Sequence, residues 1–312
     1  MSSIIIVGEL NLDLIVTGVP RLPEPGEEVI VSAMELMLGS SSAILAAQLA
    51  RLGDDVLFIT KVGSDELGAK ALDSLRQTGV PVGAVTVVPA LPTGLTISVA
   101  VGTERAMLTQ LGCIEEMRWE DVDFGAVRGR QHLHISSFYL QRNLRPDIGR
   151  IFERAHQMGL TTSLDTGWPT EEGINGDLDA VWPHVDVFLP NEAEAQRLSG
   201  ASTVDHALSL LCERVPTVVV KLGPNGAIAR RGGQIVASPG FVIDVVETTG
   251  AGDSFNGGFL HGHLAGWDLA GCLELGNACG ALSTRAVGGT TSHATLEEAM
   301  EFARSAPRRP AG

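Results

Sequence analysis

The chain has 312 residues, 44% of them hydrophobic, with a mean hydropathy of +0.19. That is enough apolar material for one large domain or two smaller ones, and too much for a disordered chain. Its 22 basic and 37 acidic residues leave a net charge of −15, which argues against non-specific binding to nucleic acid or to an anionic membrane surface. A phosphate remains possible as a ligand, because backbone N–H groups and one or two cations suffice to hold it.

Taken in chain order, Ser3–Gly8 reads as a short strand rather than the apolar core of a signal peptide, and no apolar run approaches 18 residues. A cytoplasmic soluble protein is expected. Strand-like Ile4–Val7 is followed by helix-period Ser42–Leu52, by strand Val56–Thr60 and by helix Leu67–Gln77. The rhythm resumes with His132–Ser136, Ile148–Gln157, Thr161–Leu164, Val185–Leu189, Ala193–Leu198, Ala207–Arg214, Thr217–Lys221 and Ser254–Leu264. This alternation predicts an α/β fold, a doubly wound, mainly parallel sheet with helices on both faces. Two stretches break it: Asp13–Val19 with Glu27–Ala33, and Thr93–Val101 with Arg105–Leu111, strands joined by turn residues with no helix between them. They predict a small β-sheet inserted near 13–33 and 93–111 of a single domain spanning 1–306, at the carboxyl ends of core strands where such sheets bind ligands. A lid over a site follows. Residues 307–312 read as a disordered tail. The four cysteines, Cys113, Cys212, Cys272 and Cys279, are scattered without a CxxC pair and read as reduced structural thiols.

The chemistry concentrates in Val245–Phe259, where Gly250-Ala251-Gly252-Asp253 opens an apolar helix. Free backbone N–H groups at a helix N-terminus, together with the helix dipole, favour an anion, and Asp253 could accept a proton from an attacking hydroxyl. The alternative is a glycine turn whose Asp caps a helix. Asn11 and Asp13, two apart in an extended segment, share a face and can point into one pocket, or simply close a strand. Asn191 and Glu194 fit either a water-mediated Mg²⁺ site or an N-cap with its back-reaching carboxylate. Thr217–Ala227 reads as a strand, a tight turn at Gly223-Pro224-Asn225-Gly226, and a second strand. The pairs His132/His134 and His261/His263 show no third ligand and are not read as metal sites. Asp165 ends a core strand near the proposed cleft and is a weaker candidate than Asp253.

Gly250-Ala251-Gly252-Asp253 resembles the anion-hole motif of the ribokinase-like (PfkB) family of carbohydrate and nucleoside kinases, and further matches follow in the family's order. Gly8-Glu9-Leu10-Asn11-Leu12-Asp13 resembles its first strand, whose Asn-x-Asp holds sugar hydroxyls. Gly39-Ser40-Ser41-Ser42 and the helix after it resemble the substrate loop; Asn191-Glu192-Ala193-Glu194 resembles its Asn-x-x-Glu, associated with Mg²⁺ and phosphate. By the same resemblance Lys221, Gly223 and Gly226 belong to the nucleotide loop and Asn277 to the helix lining the adenine pocket. Glu247, Thr249, Gly288 and Ser292 fall where many relatives bind a monovalent cation such as K⁺. The chain departs from the pattern at Ser40 and Ile44, where the family often has Gly and Asn, and at Glu247, where most relatives carry Asp. An apolar Ile44 loses a hydrogen bond to substrate.

The resemblance implies ATP-dependent phosphoryl transfer, with Mg²⁺, to a hydroxyl of a small sugar or sugar acid. Asp253 would be the general base and the N–H groups of Gly250, Ala251 and Gly252 the anion hole. Gly39 and Ser40 would join Asn11 and Asp13 around the substrate, and Arg105 would meet a substrate carboxylate or phosphate, or sit solvated on a strand edge. A homodimer through the lid is implied as well. A nucleoside kinase of the same family and a catalytically weak sugar-binding regulator are the alternatives. A Rossmann dehydrogenase fails on placement, since no GxGxxG follows the first strand.

Overall fold

The apolar run near the N-terminus lies at the centre of the molecule. In the computed structural model, which describes residues 1–101, 104–169 and 174–310, strand β1 (Ser3–Val7) carries Ile4, Ile5, Ile6 and Val7 with none of their surface exposed. Successive side chains on a strand point to opposite faces. Ile5 and Val7 accordingly join one apolar core and Ile4 and Ile6 another, so the sheet is covered on both sides.

From β1 the chain runs through β2 (Asn11–Thr17), β3 (Ala33–Leu38), α1 (Ser41–Leu52), β4 (Asp55–Gly63), α2 (Glu66–Gln77), β5 (Val85–Val88), β6 (Gly94–Val101) and β7 (Glu104–Gln110). It continues with β8 (His132–Ile135), α3 (Ile148–Gln157), β9 (Thr161–Leu164), β10 (Val187–Phe188), α4 (Glu192–Ser199), α5 (Val204–Leu211) and β11 (Thr217–Lys221). The last elements are β12 (Gly226–Arg231), β13 (Gln234–Pro239), α6 (Ala251–Leu264), α7 (Leu269–Ser283) and α8 (Leu296–Ser305). Nine strands form the main sheet in the order β13-β12-β11-β10-β9-β8-β1-β4-β5, parallel from β5 to β11 and antiparallel across β11, β12 and β13. Because β4 lies on one side of β1 and β8 on the other, the winding reverses at β1, and a crevice opens outside the carboxyl ends of these strands.

The expected second sheet is present, four strands in the order β3-β2-β6-β7. One of its strands differs from expectation. The pairing partner of β2 is Ala33–Leu38 rather than Glu27–Ala33, because residues 18–32 are a largely exposed connection with Ile30 facing solvent, while Leu38 is the residue that reaches the core. Helix α5 also starts three residues earlier than expected, where the Thr203 side chain caps it by accepting from His206 N–H. The tail is not disordered through its described part: Phe241 pairs with Arg308, Val242 N–H bonds Pro307 O, Arg309 N–H bonds Gly240 O, and Arg308 pairs with Glu274. These contacts hold residues 307–309 against the body, and Ala311 and Gly312 lie outside the described residues. Among the described residues no helix is long and apolar enough to cross a membrane.

Candidate active site

Helix α6 starts from a residue only glycine serves well. Gly250 has φ 74°, and a Cβ there would lie 2.9 Å from Gly289 Cα and 3.0 Å from the Ile44 side chain. The Ala251 N–H is turned back onto Thr248 O at 3.3 Å, whereas no carbonyl among the described residues accepts from the N–H groups of Gly250, Gly252 or Asp253. Of the three groups expected to face an anion, Ala251 is thus partly committed to the turn, and Asp253 N–H adds itself to the free set. Gly257 and Gly258 let α6 press close to Gln48 of α1 and to α7, which fixes the direction in which its first turn points.

Around that turn the strand ends bring together a charge cluster. Asp165, just after β9, accepts from Lys221 Nζ at 2.7 Å, from Asn256 Nδ2 at 2.6 Å and from Gly167 N–H at 3.0 Å. Lys221 Nζ lies 3.6 Å from where a Cβ on Gly252 would be, so the ammonium stands beside the α6 N-terminus. Burial alone would raise the Asp165 pKa, but the Lys221 charge and these hydrogen bonds hold it below the usual carboxylate range. Lys221 in turn is held above its ordinary value against burial by Asp165 and Glu194. Asp253 moves the other way: burial first, then the Asp165 charge, push it up to about 7 against the pull of Lys221. Glu194 also rises to about 7 through burial and Asp165. Two carboxyls thus exchange protons near neutrality beside one that stays ionised.

Asn11 and Asp13 do meet on one face. Asn11 Nδ2 donates to Asp13 Oδ1 at 3.2 Å and to Thr96 Oγ1 of β6 at 3.3 Å, and Gly39 lies so close to Asp13 that a Cβ would fall 2.1 Å from its carboxylate. Ser40 adopts φ 70°, accepts from Ala43 N–H as the cap of α1, and donates to Glu9 O at 2.6 Å. Ile44 packs against Gly250 and Gly289, bridging the start of α6 and the loop before α8. Glu9, Ser41, Ser42, Ser137 and Asn256 were not picked out from the sequence, although Ser41 hydrogen-bonds Asp253 and Asn256 bonds Asp165. The sequence carries signals for three of them: an acid directly after Gly8 for Glu9, and three consecutive serines opening a helix for Ser41 and Ser42.

Asn191 and Glu194 form the reciprocal cap, Glu194 N–H to Asn191 Oδ1 at 2.9 Å and Asn191 N–H to Glu194 Oε2 at 2.8 Å. Gly223 and Gly226 have φ 55° and 96° in the turn between β11 and β12, and Asn277 Nδ2 is donated to Ser238 O at 3.0 Å, joining α7 to β13. Glu247 Oε1 accepts from Thr249 N–H and Oγ1 at 2.6 and 2.5 Å, while Oε2 receives Gly288 N–H at 3.4 Å; its side chain therefore orders the loop. Ser292 lies nearby on a cavity of about 600 Å³ shared with Arg51 and Arg285. Arg105 pairs through its backbone with Ala100, and its side chain, like Gly102 and Thr103, lies outside the described residues. His132 and His134 form a buried chain with Thr161, Ser163 and Ser136, and His261 bonds Asp54.

The family model described as "pfkB family carbohydrate kinase" matches residues 1–296. An ATP-dependent ribose-1-phosphate kinase from Halopiger xanaduensis is 32% identical over 91% of this chain and 92% of its own. A ribokinase from Haemophilus influenzae is 28% identical over 95% and 97%. Among solved structures, a putative ribokinase II from E. coli in complex with ATP and Mg²⁺ superposes with a TM-score of 0.85 at 24% identity, covering 97% of this chain and 99% of that one. The glycine turn with its free N–H groups, the charge cluster behind it and these matches lead to one conclusion: the chain belongs to the PfkB family and is a carbohydrate kinase.

Proposed function

We propose that the protein moves the γ-phosphoryl group of ATP to a hydroxyl of a small sugar or sugar acid, with Asp253 as general base. The observation that carries this reading is the start of α6, where unpaired N–H groups, the Lys221 ammonium and a carboxyl exchanging its proton near pH 7 lie together. Asp253 takes the proton from the acceptor hydroxyl as that oxygen attacks, and a base poised near working pH is suited to the task. The N–H groups of Gly250, Gly252 and Asp253, with a weaker share from Ala251, hold the charge spreading over the transferred oxygens. Lys221, already beside them, turns from Asp165 toward the phosphates, and Asn11, Asp13, Gly39 and Ser40 orient the acceptor.

The residues also fit the ions. Glu194 keeps one carboxylate oxygen outside the reciprocal cap, an acceptor that would hold Mg²⁺ through its waters, while the Asn191 amide N–H₂ is left to donate to a phosphate oxygen, and Mg²⁺ would neutralise phosphate charge. Thr249, Gly288 and Ser292 supply oxygens for K⁺, with Glu247 serving by ordering their loop. Gly223, Gly226 and Asn277 would flank the nucleotide. Relatives named for ribose and ribose 1-phosphate support a pentose or a similar small sugar as acceptor. The exposed Met34, Met107 and Leu108 of the small sheet support a homodimer through the lid, which a solution mass measurement tests. The activity is tested by an ATP-coupled screen over sugars, sugar acids, sugar phosphates and nucleosides, with and without K⁺. Turnover of nucleosides alone would replace the acceptor class.

A further inference from the structure

Glu9 has no part in the mechanism above, yet the cleft is built around it. It follows β1 by two residues and is 2% exposed. Its Oε1 accepts from Ser137 Oγ at 2.7 Å and from Ser42 N–H at 3.3 Å, and its Oε2 accepts from Ser42 Oγ at 2.7 Å. Saturation by donors matches the ionised form. Burial pushes the Glu9 pKa up, and the Ser137 and Ser42 hydroxyls pull it back.

The backbone around Glu9 is strained. Among the described residues only Ser40 (φ 70°) and Ser137 (φ 52°) are non-glycine residues at positive φ, and each gives its hydroxyl to Glu9, Ser40 to the carbonyl and Ser137 to the carboxylate. Such conformations persist only where the surroundings over-determine them, and they cluster at functional sites. The segment held in this way is the first turn of α1. Within it Ser41, flanked by two serines bound to Glu9, hydrogen-bonds Asp253.

We propose that Glu9 is a positioning residue for Asp253: through Ser40 and Ser42 it fixes the turn that aims the Ser41 hydroxyl at Asp253, and it places a second negative charge behind that carboxylate. This inference rests on Asp253 being the base. The groups that face Asp253 are Asp165 after β9, Lys221 of β11, Glu9 after β1 and the Ser41 hydroxyl of α1. Burial and Asp165 raise its proton affinity, Lys221 lowers it, Glu9 adds to the rise and Ser41 subtracts from it. Like charges resist joint ionisation, so neutralising Glu9 lets Asp253 release its proton at lower pH.

The test is a ¹³C-carboxyl NMR titration of the nucleotide-free full chain labelled on aspartate, with the Asp253 resonance assigned by its loss in Asp253→Asn. In the wild type that resonance titrates near 7. In Glu9→Gln, which keeps the shape and removes the charge, it moves to lower pH. Ser137→Gly suits a φ of 52° and removes one donor from Glu9, which is then ionised less; the shift has the same sign and is smaller. Ser41→Ala shifts the titration to higher pH. The acidic limb of kcat/KM follows the resonance in each variant. An Asp253 titration unmoved in Glu9→Gln, or in Ser137→Gly if Glu9→Gln does not fold, overturns the role of Glu9 and leaves the base assignment standing. Loss of the base assignment shows separately, as turnover surviving in Asp253→Asn.

Discussion

Asp253 occupies a place where a negative charge is costly, so replacing it with Asn should disable the enzyme and stabilise the fold. The carboxyl is raised from 3.8 to about 7, with burial as the main cause. At about 1.4 kcal/mol per unit this is a penalty of about 4 kcal/mol for the ionised form, reduced to about 2 kcal/mol because the side chain keeps some contact with solvent. The sign follows from proton counting. Between 3.8 and about 7 the folded state binds more protons at this site than the unfolded state, so wild-type stability falls as pH rises through that window and is flat above it. Asp253→Asn lacks that slope. Urea unfolding of both proteins should therefore show little difference near pH 4 and an advantage for the variant of about 2 kcal/mol at pH 8, while its turnover falls by about 10²–10⁴-fold. A variant less stable at pH 8, or a difference that does not change with pH, would refute the reasoning.

The wild-type kcat/KM should fall about tenfold per pH unit below about 7, the form expected when one carboxyl must be ionised to act as base, and a flat profile down to pH 5 would exclude Asp253 from that role. Lys221→Ala leaves Asp165 as a buried charge with only Asn256 and the Gly167 N–H as donors; it should cost about 3–5 kcal/mol in denaturant unfolding and raise KM for ATP. Unchanged stability would mean the pair is better solvated than its burial implies. Gly250→Ala forces a Cβ onto Gly289 Cα and Ile44 at φ 74°; a loss of at least about 1 kcal/mol is expected, together with weaker ATP binding by calorimetry, and neither should appear if the turn is free to rearrange.

The frame was legible because its signals are local. Ile4–Val7 and Val218–Val220 are continuous apolar runs, and buried parallel strands show themselves that way. The start of α6 was legible for the same reason, since the glycine turn, the acid and the helix are contiguous. What escaped depends on elements distant in sequence. Asn256 bonds Asp165 across 91 positions, and Ser137 reaches Glu9 across 128; no periodicity encodes either contact. The strand Ala33–Leu38 was misplaced because Pro20, Pro23 and Pro25 and the acidic pair Glu27-Glu28 mark an irregular connection whose end only pairing with β2 defines. The tail was misread because its anchors, Gly240, Phe241 and Glu274, lie far upstream. The role of Glu247 is likewise not local in sequence, since its carboxylate spans from Thr249 to Gly288, the latter 41 positions away from Glu247.

The central claim is that Asp253 at the head of α6 removes a proton from a sugar hydroxyl while ATP gives up its γ-phosphoryl group. It is tested most directly by running the ATP-coupled acceptor screen in parallel on wild type and Asp253→Asn, with ATP binding followed by calorimetry. At least one sugar or sugar acid should be phosphorylated by the wild type, and Asp253→Asn should bind ATP with similar affinity and transfer at least about 10²-fold more slowly. Appreciable transfer by Asp253→Asn, or ATP binding by the wild type with no acceptor in the panel phosphorylated, would contradict it.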